Sequence, residues 1–190
     1  MSDFPEGEFK FLMIARLLGD KGVREYVEAG KIINQSKPNV EFHLVGPEDL
    51  NPDGISQREI NAWKNLPWLT LHGNAKDVRK FIGESHVYVL PSYREGTPRT
   101  SLEAMSMGRP IITTDVPGCR ETVIPNYNGY LIPVKDVSSL VRAMKEFIDQ
   151  PNLVTVMGLN SRRLAEKKYD VHKVNKSIMN EIKIIVDKLS

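Results

Sequence analysis

The feature that most constrains this chain is a repeated alternation. A short apolar run is followed by a connection, most often helix-patterned, and this happens six times. The runs are FKFLMIARL (9–17), VEFHLVG (40–46), WLTLHG (68–73), HVYVLPS (86–92), PIITTD (110–115) and GYLIP (129–133). They are continuously apolar rather than alternating, as strands buried on both faces are. Between the first two, GVREYVEAGKIINQS sets Val23, Tyr26, Val27 and Ile33 at helical spacing, and Pro38 and Asn39 end it. Helices are also expected over about 56–64, within AKDVRKFIGES, in TPRTSLEAMSMG and near 119–123, with three more at 136–149, 151–168 and 171–189. Strands joined through helices run parallel. The expected fold is therefore α/β: a doubly wound, parallel, six-stranded Rossmann-like sheet in one domain spanning 190 residues, with C-terminal helices.

Composition narrows the class. A hydrophobic share of 41% supplies a core, and 26% charged residues suit a soluble surface. A net charge of +2 is too small for a nucleic-acid groove, so no nucleic-acid partner is expected. The single cysteine, Cys119, rules out an intrachain disulfide. MSDFPEGEFKF lacks a basic segment followed by a long apolar one, and no apolar run approaches the ~20 residues of a membrane span. The chain is expected to be cytoplasmic.

Doubly wound sheets bind ligands outside the carboxyl ends of their strands. That rule selects the loops after Leu17, Gly46, Gly73 and Ser92. The last opens SYREGTPRTSLEAMSMGRP. Gly96 removes a side chain where a ligand can approach the backbone, Thr97 is the expected N-cap, Pro98 suits the first turn, and Gly108 suits the end. The unpaired amides and dipole of such a helix start favour an anion, a phosphate above all. Glu95 lies just outside the helix and Glu103 about one and a half turns inside, where a carboxylate can hold paired hydroxyls such as those of a ribose. The same two residues also read as an exposed loop glutamate and a surface helical one. The loop after the first strand, ARLLGDKG, carries Arg16 and Lys21, two cations able to clamp a pyrophosphate, or else two solvated surface charges. Both loops fall on one edge of one sheet.

FLMIARLLGDKG, the LVG strand, LHGNAKDV, VLPSYREGTPRTSLEAMSMGRPIITTDVPGCRE and NGYLIP, in this order, resemble the C-terminal, donor-binding domain of the family-4 retaining glycosyltransferases of the GT-B fold. The E-x7-E element from Glu95 to Glu103 is the most specific part. Within that family the chain is similar to bacterial enzymes that build lipid-linked or surface polysaccharides, including N-acetylgalactosaminyltransferases. The resemblance implies a nucleotide-diphosphate sugar donor, commonly a UDP-sugar, whose hexosyl or N-acetylhexosaminyl group passes to a glycan or lipid-linked acceptor. It makes Arg16, Lys21 and Glu95 the catalytic residues: the two cations hold the pyrophosphate as it leaves, and Glu95 contacts the transferred sugar. It gives Gly96, Thr97, Pro98, Arg99, Thr100, Ser101 and Leu102 to the sugar and distal phosphate through backbone amides, Glu103 to the ribose, and the Gly73–Asn74–Ala75 loop to the base. No D-x-D pattern occurs, so no metal and no cofactor are expected, and the cations neutralise the leaving group instead.

A GT-B enzyme closes its reaction between two such domains. The N-terminal acceptor domain is expected to be missing from this chain, leaving the fragment inactive alone. The helix at 171–189 carries an apolar stripe, Val174, Ile178, Ile182, Ile185 and Leu189, that suits packing on that other domain. Peripheral association of the full enzyme with the inner membrane face fits such acceptors. The alternative is a non-catalytic nucleotide-binding or interaction module with the same fold. A dehydrogenase is disfavoured, because the first strand–helix turn lacks G-x-G-x-x-G. His43 and His72 fall within strand patterns and read as packed, Cys119 as structural, and the basic stretch at 162, 163, 167 and 168 as a solvated helix face.

Overall fold

The structure is a computed structural model and describes residues 8–173, 175, 179 and 180. Six strands form one sheet: β1 Phe9–Ile14, β2 Val40–Val45, β3 Leu69–Gly73, β4 Val87–Leu90, β5 Ile111–Thr114 and β6 Gly129–Ile132. Their spatial order is β3-β2-β1-β4-β5-β6, and every neighbouring pair is parallel. The register runs Phe9 opposite Val40 through Ile14 opposite Val45, whereas β1 meets β4 only at Phe11–Val87 and Leu12–Tyr88. The chain winds outward from β1 to β3, then returns to the far side of β1 as β4. That reversal makes the β1/β4 boundary the switch point, the edge at which such sheets take their ligands.

The helices are α1 Val23–Asn34, α2 Gln57–Trp63, α3 Arg79–Glu84, α4 Arg99–Ser106, α5 Val137–Asp149 and α6 Asn152–Lys168. Right-handed crossovers place α1 and α2 on one face and α3 and α4 on the other. α5 packs on α1, and α6 on α4. The core follows from the apolar runs: Phe11, Leu12, Met13, Phe42, Val87, Val89 and Ile112 are fully buried between the helical layers. Phe42 is its aromatic centre, with Phe11 5.3 Å, Tyr26 5.5 Å and Trp68 5.5 Å away between ring centroids.

Among the described residues, one Arg or Lys side chain lies wholly inside. Arg109 is 0% exposed, and its guanidinium donates to the carbonyls of Ile82 at 3.0 Å and Gly83 at 2.9 Å. These belong to the last turn of α3, whose carbonyls attract a cation.

Every strand is shorter than the apolar run it comes from. β1 stops at Ile14 because the next residues turn toward the β2–α2 loop, where Leu17 N–H donates to the Pro47 carbonyl at 2.9 Å. The expected 119–123 helix is a 3-10 turn at Arg120–Thr122. Residues 171–173 continue helically after α6. Val174, Ile178, Ile182, Ile185 and Leu189, the expected apolar stripe, lie outside the described residues.

Candidate functional site

At the switch point the loop after β1 and the loop after β4 lock together. Residues 19–21 form a 3-10 turn, and Gly22 follows at φ 74. A Cβ there would lie 2.2 Å from the Pro91 carbonyl oxygen, so only glycine lets α1 begin against the end of β4. Tyr93 N–H donates to the Asp20 carbonyl at 2.8 Å, and Ser92 Oγ lies 3.1 Å from the same oxygen. Across this seam Lys21 Nζ meets Glu95 Oε1 at 2.7 Å, with the side chains 16% and 19% exposed. Partial burial distinguishes this pair from a surface ion pair, whose attraction water largely cancels. The first loop is braced on its other side by Asp53, whose carboxylate accepts from Asp20 N–H at 2.7 Å.

α4 begins one residue later than its end signals suggest. Thr97 is not the N-cap: Pro98 holds that position with φ −71 and ψ 116, and no side chain caps the helix. Pro98 is buried, and its carbonyl takes the first helical amides, Ser101 N–H at 3.1 Å and Leu102 N–H at 3.2 Å. Those two amides, expected at the ligand, are thus engaged inside the helix. Pro98 itself carries no N–H, which leaves Gly96, Thr97, Arg99 and Thr100 as the donors that precede the helical ladder. Gly96, Thr97 and Arg99 are exposed. At the far end Gly108 closes α4 as expected, with its N–H donating to Met105 at 3.0 Å and that of Arg109 to Ala104 at 2.9 Å.

Gly118, which sequence spacing does not connect to this site, supports the Glu95–Gly96 turn from beneath. At φ 84 its absent Cβ would lie 2.2 Å from the Glu95 carbonyl oxygen and 2.1 Å from that of Gly96. The Pro-Gly pair marks a turn, but nothing in the sequence says which backbone it abuts. The adjacent Cys119 is buried, and burial pushes its thiol pKa up, in keeping with a structural role.

The other candidates stand apart from that centre. Arg16 points to the β2–α2 loop, where Nη1 meets Asp49 Oδ2 at 3.0 Å. Among the described residues no ion pair joins it to Lys21 or Glu95. Glu103 pairs with Arg99 at 3.1 Å, one helical turn earlier. It borders a cavity of 320 Å³ between α4 and α6, lined also by Leu102, Arg162 and Tyr169. Asn74 is exposed beyond β3, two strand spacings or roughly 10 Å from β1. His43 and His72 are packed as expected, ring nitrogens 2.8 Å apart, and burial lowers the pKa of His72. The basic stretch is partly engaged: Arg162 donates to the Ser106 carbonyl and Lys168 to that of Glu121. Among the described residues no group of three or more His, Cys, Asp or Glu could hold a metal ion, and no helix is long and apolar enough to cross a membrane.

Comparison with known proteins follows the same lines. The family model for glycosyl transferases group 1 matches residues 2–164. The chain is 33% identical over 158 residues to the UDP-Gal:alpha-D-GlcNAc-diphosphoundecaprenol alpha-1,3-galactosyltransferase of Escherichia coli, covering 81% of this chain and 40% of that protein. It is 32% identical over 142 residues to the N,N'-diacetylbacillosaminyl-diphospho-undecaprenol alpha-1,3-N-acetylgalactosaminyltransferase of Campylobacter jejuni, covering 75% of this chain and 36% of that protein. The chain thus spans less than half the length of these relatives. Among solved structures, sucrose-phosphate synthase from Thermosynechococcus elongatus superposes with TM-score 0.83 at 26% identity, over 99% of this chain and 48% of that one. Anabaena HepE in complex with UDP superposes with TM-score 0.83 at 21% identity, over 93% of this chain and 49% of that one, a likeness of fold.

Proposed function

This chain belongs to the group 1 glycosyl transferases, and we propose that it is the donor-binding domain of a retaining enzyme that takes a UDP-sugar. The observation that carries the reading is the seam at the switch point. Lys21, Glu95 and the start of α4 meet there, so a cation, a carboxylate and free amides share one place. The amides of Gly96, Thr97, Arg99 and Thr100 receive the distal phosphate, with the helix dipole behind them. Lys21 donates one N–H to Glu95 and has two more to donate, so one ammonium bridges the carboxylate and the departing phosphate. Glu95, held by Lys21, contacts the sugar. Glu103 leaves Arg99 to accept the ribose hydroxyls, and Arg16 swings from Asp49 to the pyrophosphate; its 57% exposed side chain leaves that motion open. Asn74 lines the base pocket.

As the bond to C1 breaks, negative charge grows on the leaving diphosphate, and fixed cations and amides stabilise it without reorganising. No metal is required in this scheme. Glu95 is no nucleophile here, because its carboxylate is already bound by Lys21; front-face attack by the acceptor accounts for retention. The acceptor, a glycan or lipid-linked sugar as in the named relatives, sits on a second domain, and peripheral contact with the membrane belongs to that full enzyme.

Calorimetry on this 190-residue chain tests the proposal. UDP binds the wild type, and Glu103→Ala and Lys21→Met each weaken it about tenfold or more, as loss of a hydrogen bond to a charged group does. Absence of UDP binding, or equal affinity after Glu103→Ala, overturns it.

A further inference from the structure

We infer that the Tyr88 hydroxyl is a positioning group for the anion-binding end of α4, tying its first turn to the end of β1. This rests on the donor-site reading above. Tyr88 stands in β4 and is 0% exposed. A phenylalanine fills the same core volume, so packing gives no reason for the oxygen, and burying a hydroxyl is unfavourable unless it is bonded. Two groups lie within hydrogen-bond distance of the Tyr88 hydroxyl, and the buried Ser101 hydroxyl of the same helical turn also faces it. The phenol oxygen lies 2.6 Å from Thr100 Oγ1 and 3.3 Å from the Ile14 carbonyl. The polarity that satisfies all three groups has Thr100 donating to Tyr88 and Tyr88 donating to Ile14.

The partners are the significant point. Ile14 is the last residue of β1, and the β1–β4 ladder pairs only Phe11–Val87 and Leu12–Tyr88, so no backbone bond of that ladder spans the boundary at this level. Thr100 is the second residue of α4. α4 has no side-chain cap, so its N-terminal turn lacks the usual local anchor. The phenol supplies one from below and sets where the Arg99 and Thr100 amides sit relative to the Lys21 turn. Burial also pushes the Tyr88 pKa up, so the hydroxyl keeps the proton it donates. An anion site depends on sub-ångström placement of its donors, which gives this link leverage on binding.

The test uses Tyr88→Phe, Thr100→Val and the double variant of this chain, read by amide hydrogen exchange and UDP calorimetry. Exchange at Ser101 and Leu102 accelerates about tenfold in each single variant, while Met107 and Gly108, at the other end of α4, keep their rates. UDP affinity falls about fivefold in each, and the double variant loses no more than a single one. A role in stability alone accelerates both ends alike or leaves affinity untouched, and either result overturns the inference, as do additive losses in the double variant. If the wild type fails to bind UDP, the donor reading falls, and the exchange pattern along α4 still decides whether Tyr88 holds that turn.

Discussion

At the scale of single residues, the candidate site depends as much on what a position lacks as on what it carries. Gly118 shows this. A methyl group there would press on the carbonyls of Glu95 and Gly96 at 2.2 and 2.1 Å, in a left-handed conformation that side chains resist. Gly118→Ala should therefore cost about 2 kcal/mol or more in urea unfolding. It should also weaken UDP binding by moving the Glu95 turn; a stable variant with wild-type affinity would contradict this. The charged residues were legible in advance because strand ends and motif order pointed to them. Gly118 was not, since a contact across more than twenty residues leaves no mark on local spacing. The same holds for the partner of Lys21: both residues were candidates, but only the fold puts Nζ 2.7 Å from Glu95.

At the scale of elements, helix ends hold this molecule in register. Arg109 fixes the last turn of α3 from within the core. Arg109→Ala strips donors from the buried Ile82 carbonyl and the part-buried Gly83 carbonyl and removes a packed stem, so it should destabilise by about 3 kcal/mol or more. UDP affinity of the protein that remains folded should stay unchanged, since α3 lies away from the Lys21–Glu95 seam. On the β2–β3 side, His72 makes stability depend on pH. Burial, then the neighbouring His43, lowers its folded pKa below the usual 6.5. As pH falls through about 6.5, the unfolded chain takes up a proton that the folded chain resists, so stability declines until the folded pKa is reached. Above that window the contribution is complete. Thermal melts between pH 7.5 and 5.5 should show this decline, and His72→Phe should flatten it. The start of α4 is where element signals failed. A Thr-Pro pair reads as cap and first turn, yet burial of the Pro98 ring keeps that residue extended and makes it the cap. Packing overrode local preference, with the result that Thr97 is left exposed.

For the whole molecule, ligand and fold are linked. If the chain binds UDP in its folded form alone, UDP at a hundred times its dissociation constant adds about 2.7 kcal/mol of stability. For a domain of this size that is a rise of about 5–10 °C in Tm. A melt unmoved by saturating UDP would show that the Lys21–Glu95 site does not hold the nucleotide. The sequence by itself determined the layers and the parallel sheet, because continuous apolar runs separated by helical stretches bury both faces in one architecture only. It also singled out the loop chemistry, because strand ends in such a sheet lie on one edge. Tertiary structure alone decided which charges meet. β1 lies beside β4 although more than seventy residues separate them, and that adjacency joins Lys21 to Glu95. Tertiary structure also sends Arg16 to Asp49, whereas Glu103 meets Arg99 by helical spacing alone. It also gives the α4 turn its hidden supports in Tyr88 and Gly118. The reason is physical: periodicity reports which face of an element is buried, whereas pairing between distant loops is set by strand order and by backbone packing a few ångströms apart.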